Sequence, residues 1–135
     1  MKTIGILSLL LSTTLAQAQL AVTVPPPKIT GSKAVVPLAM KNNFAEKIES
    51  ARAVVFLLDQ QGKAVGQPTT RWIIGNGNTN GLAAAATNVF HFVINGTQPF
   101  TSTNLTPKVQ FSRVVLEGGK LADATKQVTV TPTAK

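Results

Sequence analysis

Residues 51–66 read ARAVVFLLDQQGKAVG. Val54, Val55, Phe56, Leu57 and Leu58 form an unbroken apolar run of strand length, as expected of a strand covered on one face and partly covered on the other. Asp59-Gln60-Gln61-Gly62 then supplies turn chemistry: Asp bonds its own backbone, and Gly tolerates positive φ. Lys63-Ala64-Val65 resumes an extended pattern, so the stretch predicts a central β-hairpin. Phe44, Ile48, Ala51, Val55 and Leu58 also fall on a helical stripe, with Asn42 or Asn43 as a cap and Glu46 in a first turn. The Val-Val-Phe run and the turn after it favour the sheet. The expectation is a short helical turn near Phe44–Ile48, followed by a strand.

Working outward, Leu20–Val24 is a predicted strand ended by Pro25-Pro26-Pro27, read as an edge-strand break. Lys33–Lys41 is a second strand, with Pro37 near an edge or a bulge. After Gly66, Gln67-Pro68 interrupts the pattern, and Thr69–Ile74 forms another strand. Gly75–Gly81 is a flexible loop by composition; it lacks the Lys-Ser/Thr ending of a phosphate loop. Val89–Asn95 alternates cleanly, with Phe90, Phe92 and Ile94 assigned to the core and His91, the only histidine, to the other face. Lys108–Glu117 and Gln127–Thr131 are the last strands, joined through Gly118-Gly119. Pro132–Lys135 reads as a loose tail. About seven short strands with turns between them predict an all-β, immunoglobulin-like antiparallel β-sandwich.

The start of the chain points to export. Lys2, the apolar segment Ile4–Leu15 and Ala16-Gln17-Ala18 have the layout of a secretory signal peptide. Residues 1–18 are therefore expected to be cleaved, leaving 19–135 as one domain, periplasmic or extracellular, with no membrane span. The chain has no cysteine, and export permits disulfides without demanding them. Removing Lys2 leaves 12 basic and five acidic residues, a net charge of +7. These charges are scattered, with neither a basic stripe nor an aromatic platform, which argues against nucleic acid as a partner.

The chain resembles the small immunoglobulin-like modules of bacterial envelope proteins, of the FxLYD kind. The resemblance rests on Lys41-Asn42-Asn43 at a strand end, on Val54–Leu58 leading to Asp59 and Gly62, and on Gly81-Leu82 before Phe90–Ile94. It covers roughly residues 35–119. The Phe-x-Leu-Tyr-Asp core itself is absent; the chain reads Phe56-Leu57-Leu58-Asp59. The resemblance implies an extracytoplasmic accessory or interaction module and carries over no catalytic residue.

The residues also argue for binding rather than catalysis. One His, no Cys and five acids cannot readily converge into a transition-metal site, and no cofactor is implied. A triad would need His91 with Asp59 or Asp123, and no Gly-x-Ser-x-Gly elbow is present. Arg52, Arg71, Trp72 and Arg113 are the residues best suited to an interface, since Arg and Trp dominate binding hot spots. Arg113 interrupts an apolar run and is read either as a snorkelling side chain or as a bulge. The expected function is a non-catalytic exported binding module whose partner is a protein or an anionic component of the cell envelope. The alternatives are a basic protein that binds anionic lipid or envelope polymer directly, and a small hydrolase.

Overall fold

In the computed structural model the described residues are 19–75, 81–102 and 104–133. The expected signal peptide, the centre of the Gly75–Gly81 loop and the last two residues lie outside them. Among the described residues nine strands, rather than the expected seven or so, follow in order: β1 Leu20–Val24, β2 Lys28–Thr30, β3 Lys33–Asn42, β4 Ile48–Leu58, β5 Ala64–Ile74, β6 Thr87–Asn95, β7 Thr106–Leu116, β8 Lys120–Leu121 and β9 Val128–Pro132. They form two sheets packed as a sandwich. One runs β5-β4-β7-β8. In the other, β3 is central, with β6 on one side and β2 and β1 on the other, and β9 lies beyond β1. The β1–β9 pairing is parallel, so the sandwich is not antiparallel throughout, contrary to expectation.

Alternation along each strand fills the space between the sheets. Leu20, Val22 and Val24 of β1 and Ala34, Val36, Leu38 and Met40 of β3 are buried, as are Ala53, Val55 and Leu57 of β4. Phe92 and Ile94 of β6 join them, while His91 is exposed. The hairpin at residues 51–66 is present. Asp59 Oδ1 accepts from the N–H groups of Gln61 and Lys63, both at 2.9 Å, and Gly62 has φ of +80°.

Several expectations are corrected. Residues 44–46 form bends rather than a helical turn, and β4 begins at Ile48. The Asn42 side chain shapes this entry, holding residues 44 and 46 by backbone hydrogen bonds that a helix would otherwise use. Gln67-Pro68 does not divide the following strand: β5 runs unbroken from Ala64 to Ile74, with a shifted register between Val55 and Leu57 of β4. Pro68 is accommodated because β5 is a sheet edge, where a missing N–H costs no ladder bond. Pro37 lies in a central strand, not at an edge. On one side of β3, β2 pairs up to Val35 and β1 resumes at Ala39, so Pro37 falls in the gap left by Pro25-Pro26-Pro27. Pro132 belongs to β9 rather than to a loose tail, and Thr133 N–H donates to Val24 O at 3.0 Å. The short strand β2 carries no sequence signal strong enough to predict it.

Candidate functional site

The outer face of the β5-β4-β7-β8 sheet brings together three of the four residues singled out from the sequence. Arg52 on β4 stands directly opposite Trp72 on β5 and directly opposite Arg113 on β7. Three adjacent strands thus present Trp72, Arg52 and Arg113 as one transverse row. The Arg52 guanidinium lies 5.9 Å from the centre of the Trp72 ring, within cation–π range. Trp72 is 37% exposed, one of few large apolar side chains so placed. Below the row, Val54, Phe56 and Leu58 continue the same face of β4, each half-buried.

The row depends on irregularities of the ladder. Between Arg52/Arg113 and Ala53/Phe111 the β4–β7 register shifts by one residue, leaving Ser112 as the extra residue. Its hydroxyl donates to Arg52 O at 3.3 Å. The bulge lets Arg113 and Phe111 take opposite faces although they are two residues apart. Arg113 therefore marks a bulge, one of its two expected readings. Ile73 is the matching extra residue on β5.

The electrostatics of the row are unbalanced. Like charges directly opposite on neighbouring strands are unfavourable by roughly 0.2–1 kcal/mol, and Arg52 faces Arg113 in that way. Among the described residues the one ion pair is Lys120–Glu46, at 3.0 Å, so no carboxylate neutralises the pair. Such an arrangement favours an anionic partner on this face, because guanidinium groups donate to carboxylate or phosphate oxygens in bidentate fashion.

Arg71 is not part of the row. It opposes the fully buried Ala53, so strand alternation turns it away from the outer face. It lines a groove of about 240 Å³ with Leu38, Trp72, Ile73, Phe90, His91 and Phe92, where the edge strands β5 and β6 meet, so Trp72 borders both this groove and the row.

The groups considered for catalysis are dispersed. His91 on β6 opposes Pro37 on β3. Asp59 is engaged by its own hairpin turn. The Asp123 carboxylate accepts from the Thr125 hydroxyl and N–H and from the Lys126 N–H, and these bonds hold it below the usual carboxylate range. Among the described residues no three His, Cys, Asp or Glu side chains are grouped as metal ligands, and no helix is long and apolar enough to cross a membrane.

No protein-family model matches the chain, and no curated protein matches it in sequence. The resemblance to FxLYD modules therefore stays a matter of strand grammar. Solved structures do match. The structure of IrmA from Escherichia coli is similar with a TM-score of 0.56 at 10% sequence identity, over 88% of this chain and 96% of that one. At that identity the likeness is one of fold: this chain shares the two-sheet β-sandwich architecture of IrmA.

Proposed function

We propose that the chain is a non-catalytic, exported, immunoglobulin-like binding module that engages a component of the cell envelope through the outer face of β5, β4 and β7. The observation that carries this reading is the Trp72–Arg52–Arg113 row, an exposed aromatic beside two opposed and uncompensated arginines above an apolar strip. Arg and Trp contribute most where a partner excludes water. Val54, Phe56 and Leu58 supply the apolar floor for such a contact. The expected leader and the sandwich fold support an extracytoplasmic accessory role.

The test is crosslinking of the tagged full-length chain in its native host, followed by pull-down at low and high salt. The expected result is one envelope protein recovered nearly equally at both salts and lost in an Arg52→Ser/Arg113→Thr double variant. Empty lanes overturn the reading. A second reading rests on the net charge of +7 without the leader. It has the chain binding anionic lipid or polymer diffusely, since exposed charges attract counter-surfaces only within about 8 Å at physiological salt. Recovery of many anionic species at low salt alone, unaffected by the double variant, selects that second reading.

A further inference from the structure

We infer that the free side of β7 is a strand-addition site for an extended segment of a different protein, carrying alternate apolar residues and acidic ends. The two sheets are unequal where β7 meets β9. In one sheet β9 extends the array beyond β1, pairing from Leu20–Val128 to Val24–Pro132. In the other, the position beyond β7 is filled only by β8, which pairs at Val115–Leu121 and Leu116–Lys120. The chain then leaves that sheet through residues 122–127 and joins the opposite one as β9. From Thr106 to Arg113 no described strand pairs with the side of β7 turned away from β4.

The vacancy leaves its mark on burial. Leu20 and Val22 of β1 are fully covered, while Val128 and Val130, their register partners on β9, remain half-exposed. They line a groove of about 470 Å³ together with Val109, Phe111 and Ala124. A strand added to β7 would turn every second side chain into this groove and complete the array above β9. Its backbone would satisfy the unpaired groups of β7, which spans eight residues here, about 26 Å at 3.3 Å per residue.

Charge gives the remaining chemistry of the occupant. Lys108 is exposed on β7, and Lys126 lies beside the groove-lining Thr125. Lys108 pairs with no described carboxylate, and Lys126 belongs to the Asp123 turn, where its charge helps to hold that carboxylate below the usual range. Cations on an edge strand discourage pairing with like edges. They also select a strand with acidic ends. The edge adjoins the outer-face site, since Lys108 stands opposite Phe56 and Arg113 ends the free stretch, but Trp72 lies two strands away on β5.

The test uses the purified full-length chain and the peptide acetyl-EVTVTVE-amide, whose valines fall on one face and whose glutamates fall at the ends of the other. The expected result is saturable binding with slowed amide exchange at residues 108–111. The matched KVTVTVK peptide should bind at least ~10-fold more weakly, and the preference should reverse in a Lys108→Glu/Lys126→Glu variant. Backbone N-methylation of the acidic peptide should abolish binding. Equal binding of both peptides, no slowing at residues 108–111, or protection there that depends on protein concentration without peptide (a second copy in the site) would overturn the inference.

Discussion

Asn42 is the one buried polar side chain among the described residues, and its bonds account for that position. Its Nδ2 donates to Glu46 O and Leu82 O, both at 2.9 Å, and its Oδ1 accepts from Phe44 N–H at 2.8 Å. One side chain thus ties the entry of β4 to the segment before β6. Asn42→Ala should cost about 3 kcal/mol, because buried backbone groups lose their partners; the urea midpoint measures this, and a loss below ~1 kcal/mol would contradict it. Gly81 makes a second demand. Its φ is +91°, and a Cβ there would lie 2.6 Å from Ile48 O, within the Ile48–Leu82 bridge. Gly81→Ala should destabilise by more than ~1 kcal/mol. The arginine row predicts the opposite sign: Arg113→Thr should raise stability by a few tenths of a kcal/mol by relieving the facing charge, while weakening ligand binding. Thermal unfolding and titration followed by the single tryptophan read both. The residue types of this row were legible in the sequence as interface material. Their convergence was not, because it depends on a cross-strand register that two bulges set. The role of Asn42 was equally hidden, since an Asn at a strand end reads as turn chemistry.

The bulge in β7 gives an element-scale prediction. Ser112 is the surplus residue, so its deletion restores a regular ladder and leaves Phe111 inward and Arg113 outward. Deletion of Gln110 instead reverses the faces of residues 106–109, exposing Val109 and turning Lys108 toward the core. The first variant should fold and the second should not, as judged by cooperative unfolding and chemical-shift dispersion. The Asp123 turn answers to pH. Its carboxylate is held below the usual range by the Thr125 hydroxyl first, then by the backbone N–H groups of Thr125 and Lys126. The ionised form therefore favours the folded turn above the ordinary carboxylate value, and that contribution is lost as pH falls through the lowered one. Amide shifts of Thr125 and Lys126 should report this titration, and Asp123→Asn should remove it. Element identity was legible where alternation or turn chemistry was strong, as in β1, β6 and the β4–β5 hairpin. It failed at Pro68, which breaks a pattern in sequence without breaking an edge strand; at Pro37 the strand was legible and only its central place in the sheet was not.

At the scale of the whole molecule, the sandwich class followed from short strands punctuated by turns, but the sheet order did not. Nothing local tells β9 to pair with β1 rather than with β7, since that choice is made by distant packing. It carries a mechanical consequence. Because β1 and β9 run parallel, with Leu20 beside Val128 and Val24 beside Pro132, the chain enters this pair at one pole and leaves it at the other. Tension applied between the two ends pulls the strands lengthwise past each other. The rungs between them are then loaded together, in shear, rather than opened one at a time as in a hairpin pulled apart at its base. Among the described residues β1 and β9 are the first and last strands, so their pairing would resist such stretching as a clasp. Pulling single molecules from the two ends should require a higher rupture force than pulling the β4–β5 hairpin apart through handles placed at Arg52 and Trp72.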